Sequence, residues 1–153
     1  MVNNILILLF SFIASLAFSV TFGIHGKDKL LYAGLGGFLV RLVNISLSSF
    51  LDNRFVIILI SALAASLYGE FMSRKLQVPT AYFIYPSIIP LIPGDMFHYM
   101  IASLVTGNIR LAEVQAFDCI LSLVALSLGT IIGTTTLQSI RRKECMYTKR
   151  MYL

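Results

Sequence analysis

Apolar residues run along this chain in long blocks, and the polar ones fall between them. Five blocks stand out: Ile5 to Ile24, Leu30 to Leu51, Phe55 to Ser73, Ala81 to about Val105, and Phe117 to Ile140. Each is long enough, at about 1.5 Å per helical residue, to cross a hydrocarbon core of about 30 Å. The pattern predicts an all-α, polytopic membrane protein of about five spans, with the fourth broken by proline and glycine. The connections are short: Lys27-Asp28-Lys29, Asp52-Asn53-Arg54, Arg74 to Thr80 and Gly107 to Ala116. Residues 1–140 read as one transmembrane domain and 141–153 as a basic tail. No repeat, linker or low-complexity segment is visible.

Composition agrees. Of 153 residues, 58% are hydrophobic and 12% charged, about half the charge of an ordinary soluble domain. A surface in water cannot be covered at that level, least of all in a small chain. The two cysteines are too few for a disulfide scaffold. The apolar content excludes disorder. The first block is uncharged and too long for the apolar core of a cleaved signal, and Met1 to Asn4 lack a basic residue. It reads as a retained helix.

The net charge of +5 would suggest nucleic acid in a soluble protein. Its distribution points to a membrane instead. With the N-terminus outside and five spans, nine basic residues fall inside: Lys27, Lys29, Arg74, Lys75, Arg141, Arg142, Lys143, Lys149 and Arg150. Only Arg54 and Arg110 fall outside. That is a strong positive-inside bias, with a cytoplasmic C-terminus. A re-entrant fourth block would leave five basic residues inside against six outside, so the block is read as a full but broken span. Cys119 and Cys145 then lie on opposite sides and read as free thiols.

Pro86-Ser87-Ile88-Ile89-Pro90-Leu91-Ile92-Pro93-Gly94-Asp95 cannot form a regular helix, because each proline removes a donor and clashes with the preceding turn. Non-helical backbone in lipid survives where protein buries it or where it lines a watery cavity, and transporters use such breaks to bind substrate. A new helix is expected after Gly94, with its amides directed into the middle of the membrane, a seat for an anion. The other reading is a proline-kinked packing helix with Asp95 as N-cap. An ionised Asp95 would compete with an anionic substrate there, and would instead suit an ammonium group or a proton. The sequence leaves these open.

Ionisable groups inside the spans are the second signal. Arg41 sits halfway along its block, where an arginine costs about 2.5–3.5 kcal/mol on insertion scales. Asn44 shares its helix face. Arg41 lacks a local partner and needs a substrate anion, a subunit contact or a structural pair across the bundle. Glu70 and Arg74 are spaced i, i+4, so a local ion pair is the simplest reading of Glu70. His98 and Tyr99 follow Asp95 by one turn; His98 suits either a proton relay or a packing hydrogen bond. Gly34, Gly36 and Gly37, and the Gly129/Gly133 pair, mark close helix contacts within one chain or between copies in a homo-oligomer.

No P-loop, no Gly-x-Ser-x-Gly and no His-rich metal cluster is present. Gly94-Asp95 lacks the second mid-membrane aspartate that an intramembrane aspartyl protease needs. Neither an enzyme, a cofactor nor a metal is expected.

Arg74-Lys75-Leu76-Gln77-Val78-Pro79-Thr80-Ala81, followed by the proline run above and Tyr99, resembles the threonine/serine exporter family. There, a basic pair and a proline precede a segment close to P-x-I-I-P-L-x-P-G. Pro90, Pro93, Gly94 and Tyr99 match that motif; Asp95, His98 and Arg41 lie outside it. The likeness extends to Glu70, the glycine-rich second block, Gly107 and the last block's glycines. The family occurs as one long chain or as two, and this chain resembles the five-helix C-terminal half, the small subunit of the split form. The resemblance implies a bacterial plasma-membrane protein that works with a larger membrane subunit of the same family. It implies proton-driven export of small carboxylate-bearing metabolites, threonine and serine or a dicarboxylate such as succinate. Lipid is the other expected partner and nucleic acid is not. The rival reading is a scaffold subunit that transports nothing and stabilises a partner.

Overall fold

The computed structural model describes the backbone of residues 2–151 and the side chains of residues 4–137 and 139. Its elements are α1 (Val2–Thr21), α2 (Lys27–Ser48), α3 (Arg54–Leu76), α4 (Ala81–Ile88), a 3-10 turn (Ile89–Leu91), α5 (Gly94–Val105) and α6 (Ile109–Met151). No strand occurs among the described residues. Four helices are long and apolar enough to span a membrane, and a fifth span results if α4 and α5, bent by 42°, are counted as one. This is the architecture expected from the apolar blocks.

Local chemistry sets the helix ends. Asn53 caps α3, its side chain accepting from the Phe55 amide at 3.1 Å, which satisfies a donor that the first turn leaves free. Gln77 closes α3 in the left-handed region at φ 53°, with Arg74 and Lys75 in the last turn, where cations favour the helix dipole. Pro79 follows and cannot continue the helix. The residues around Gly107, expected to form a connection, are partly helical: α6 already starts at Ile109. Asn108 accepts from the Leu111 amide at 3.4 Å and starts the helix there.

Helices α1, α2, α3 and α4 form the bundle, α6 packs along α3, and α5 packs on α6. Glycines permit the close approaches. A Cβ on Gly34 would collide with Leu16 and Phe12, and one on Gly129 with the Leu59 carbonyl and Ala62. Gly37 meets Ser15 and Gly133 meets Ser66 in the same way. Buried serines fill the remaining gaps, most with hydroxyls returned to their own helices, as Ser61 to the Ile57 carbonyl at 2.8 Å and Ser87 to that of Phe83 at 2.6 Å; Ser15 Oγ has no partner among the described residues. Small residues with satisfied hydroxyls are what helix packing in lipid requires, since lipid is as apolar as a core side chain.

These contacts set the levels of the helices. From Arg54 to Arg74, α3 rises about 30 Å, one hydrocarbon thickness. Lys75 lies over the Tyr32 ring at 5.2 Å, so Lys27 and Lys29 of α2 and Arg74 and Lys75 of α3 mark one end of the bundle. Asn44 meets Ser61, and Tyr68 reaches the Tyr32 carbonyl, which puts Arg41 near the middle of α3. The Gly129 and Gly133 contacts align α6 with α3. Its first three turns therefore extend past Arg54, paired with α5 through Ser103 and Gln115 at 2.9 Å. The side chains of Arg141, Arg142 and Lys143, read above as cytoplasmic, lie outside the described residues.

Candidate functional site

The break in the fourth span opens a cavity. Pro86 stays inside α4. Pro90 sits in the 3-10 turn, Ile92 is extended (φ −63°, ψ 126°), and α5 starts only after Pro93. Three prolines thus interrupt the hydrogen-bonded ladder at successive points. The chain bends away, and α1, α2 and the start of α3 are left facing the break. The resulting cavity, about 810 Å³, is lined by Ser11, Arg41, Asn44, Ser48, Asp52, Arg54, the segment from Ile89 to Asp95, and apolar side chains of α1 and α3.

Arg41 is the deepest charge. Its Nη1 donates to the Pro90 carbonyl at 3.2 Å, an acceptor set free where the span breaks. Its Nε is buried and has no hydrogen-bond partner among the described residues. A buried guanidinium N–H without an acceptor is costly in a dry interior. Asn44, one turn away, donates to Ser61 Oγ at 3.4 Å, near the limit for such a bond. At the mouth, Arg54 Nη2 lies 3.6 Å from Asp95 Oδ2, both half-exposed. An ion pair that open to solvent is weak. The charged side chains along the wall, Arg41, Arg54, Asp52 and Asp95, sum to zero.

Six of the residues read from the sequence meet here: Arg41, Asn44, Pro90, Pro93, Gly94 and Asp95. His98 and Tyr99 do not. They are exposed on α5, stack edge to face at 5.9 Å, and line no part of the cavity. No hydrogen bond joins His98 to Asp95 among the described residues, so a relay between them has no geometric support. The start of α5 also differs from expectation. Asp95 pairs with the first residue of α3, so this helix end lies towards the Arg54 end of the bundle and not in the middle of the membrane. The 3-10 turn and the extended Ile92 carry the chain that far before α5 begins. What the break exposes near the middle is the Pro90 carbonyl. Arg54, Asp52, Ser48 and Ser11 were not singled out in the sequence. A charge at the end of a span reads as a marker of topology, and nothing in the pattern shows that Arg54 turns inward.

Glu70 behaves as its spacing predicts. It is 5% exposed, and its Oε1 lies 3.3 Å from Arg74 Nε. Its other oxygen, Oε2, accepts from Thr80 Oγ1 at 3.0 Å. Gly34, Gly37, Gly129 and Gly133 serve helix packing, as above. No group of three or more potential metal ligands occurs among the described residues. Cys119 is a buried free thiol.

Among known proteins, the family model described as "Threonine/Serine exporter, ThrE" matches residues 7–136. That span takes in every residue of the cavity wall and the whole broken segment. No curated protein and no solved structure matches the chain.

Proposed function

The chain belongs to the threonine/serine exporter family, and from that premise we propose that it is the membrane subunit of a secondary exporter whose translocation path includes the cavity at the broken span. The cargo is a small carboxylate-bearing metabolite: threonine or serine, or a dicarboxylate such as succinate. A larger family partner completes the path, and the proton gradient drives export. The protein lies in the bacterial plasma membrane with its N-terminus outside and its C-terminus in the cytoplasm, the orientation that the positive-inside bias favours.

One observation carries this reading. Arg41 stands halfway across the bundle, on the wall of a cavity, with one N–H on the Pro90 carbonyl and another, Nε, without an acceptor. An arginine at that depth is costly, and a carboxylate supplies what the buried Nε lacks once the Arg41 side chain turns into the cavity. Planar guanidinium and planar carboxylate fit in a fork, and the low local dielectric strengthens the contact. Asn44 and Ser48 on the same face offer neutral hydrogen bonds to the rest of the cargo. The bundle then rocks between states that expose the cavity to one side or the other.

The test is to replace Arg41 by Gln and Asp95 by Asn, and to follow both assembly with the partner and export of labelled amino acids and dicarboxylates. An intact complex with lost export supports the path. Unaffected export, or a complex that no longer forms, favours a scaffold that transports nothing.

A further inference from the structure

The two ends of the bundle are built differently. The cavity opens at the Arg54 end. Towards the Arg74 end, α2, α3 and α4 close up. Ser87 and Tyr68 fill the space that Gly36 leaves, and Ile84 packs onto Gly69. Tyr68 Oη donates to the Tyr32 carbonyl at 2.5 Å. Beneath this layer Phe83 is fully buried against Ile24 and Ala33. These contacts fill the layer between Arg41 and the basic end among the described residues.

A polar network fastens the closed end. Thr80 Oγ1 at the head of α4 donates to buried Glu70 Oε2 at 3.0 Å and lies 3.2 Å from Ser73 Oγ. Ser73 Oγ in turn donates to the Val78 carbonyl at 2.6 Å. These bonds tie α4 to α3 across a short connection that holds left-handed Gln77 and Pro79. Beside these contacts, α4 and α6 flank a cleft of about 320 Å³, lined by Thr80, Ile84, Tyr85, Thr130 and Thr134 among others. Besides its packing on α2 and α3, the head of α4 is therefore tied by a few exchangeable hydrogen bonds, next to a cleft towards α6 that gives it room to move.

We propose that the Glu70–Thr80 contact is the latch of a gate at the basic end, that the chain stands here shut at that end and open at the Arg54 end, and that release of Thr80 lets α4 swing into the α4–α6 cleft. The inference rests on reading the cavity as a translocation path, but it concerns which residues close that path. Glu70 acts as a positioning residue through Thr80 and touches no cargo.

The experiment uses the full-length chain, together with its partner, in membrane vesicles, with Cys119→Ser and Cys145→Ser. Two single reporters, Ser48→Cys in the cavity and Ser87→Cys below it, are exposed to a membrane-impermeant maleimide from each side without substrate. With the latch intact, Ser48→Cys reacts and Ser87→Cys is protected. Thr80→Val is expected to raise the Ser87→Cys labelling rate from the basic-end side about tenfold, the change one lost hydrogen bond makes to a two-state equilibrium, and to lower Ser48→Cys labelling from the other side. Gly36→Ala, which wedges the same layer by a different contact, is expected to shift both reporters in the same direction. Unchanged protection of Ser87→Cys in both variants, with Ser48→Cys still reactive, overturns the latch. So does a parallel rise at an Ala125→Cys control in the α3–α6 core, which signals general loosening. Labelling is read without transport, so a failed latch leaves the cavity reading standing, while unaffected export by Arg41→Gln removes that reading whatever the labelling.

Discussion

Replacing Arg41 by Gln separates a cargo anchor from a structural pair by the sign of its effects. A mid-membrane arginine costs about 2.5–3.5 kcal/mol on insertion scales. The bundle returns one charge-assisted hydrogen bond, to the Pro90 carbonyl at 3.2 Å, and such a bond contributes about 1.5–3 kcal/mol. Nε returns nothing. The difference runs from about 2 kcal/mol gained to about 0.5 kcal/mol lost on substitution, by the same two estimates. Stability should therefore hold or rise, while export collapses. A structural ion pair behaves oppositely: removal of one member of a buried pair costs about 3–5 kcal/mol. The assay is denaturant unfolding in detergent of the chain and its complex, beside export rates in vesicles. A loss of about 3 kcal/mol or more, the size expected for a broken buried pair, with partner co-purification gone, refutes the anchor. So does unchanged export.

Four further outcomes are expected. Gly129→Ala places a Cβ 2.6 Å from the Leu59 carbonyl oxygen and 2.7 Å from Ala62 Cβ, where backbone cannot give way, and should lower stability by about 1–3 kcal/mol through overpacking. Gly94→Ala meets nothing within 4 Å and should be neutral or stabilising by up to about 1 kcal/mol from helix propensity; thermal unfolding in detergent compares the two, and equal losses would contradict the packing. Asp95→Asn breaks a pair whose members are half-exposed, so stability should change by less than about 1 kcal/mol while export changes, and a large stability loss with normal export would remove Asp95 from the path. A reporter fused after Leu153 should be active only on the cytoplasmic side, and an outside signal overturns the proposed orientation.

The first three spans were legible because each apolar block ends in charges that water must solvate: Lys27, Lys29, Asp52, Arg54, Arg74 and Lys75. The break was legible because proline states its own backbone requirement. The start of α6 was less so. Arg110 and Glu113 interrupt the apolar run and read as a connection, yet there α6 pairs with α5 beyond the Arg54 end and both charges are exposed. The cavity was legible in its chemistry and not in its shape. A mid-span arginine beside a proline run predicts that something gathers there, but the inward reach of Arg54 depends on how far the 3-10 turn and Ile92 carry the chain. His98 failed for the same reason: spacing puts it on a face with Asp95, but which way that face turns is set by the packing of α5 on α6.

The position of Asp95 also changes where an anion would bind. From the pattern alone, the start of α5 was the natural seat, and Asp95 stood there as a competitor. In the structure Arg54 engages Asp95 at the mouth, so the positive end of α5 already faces a carboxylate. The unmet donor lies deeper, on Arg41, against the carbonyl that the break leaves free. On the proposed path, a carboxylate released from Arg41 towards the Arg54 end passes only this weak ion pair, where exchange costs little. Towards the basic end, Ser87, Tyr68 and Phe83 fill the space between the helices. In the proposed path and latch, binding and closure thus fall on different helices: α2 holds the charge, and α4 carries the barrier. The Pro90 carbonyl would join them: the atom that steadies Arg41 belongs to the same broken span as the proposed gate, so a cargo that drew Arg41 away would also loosen that span.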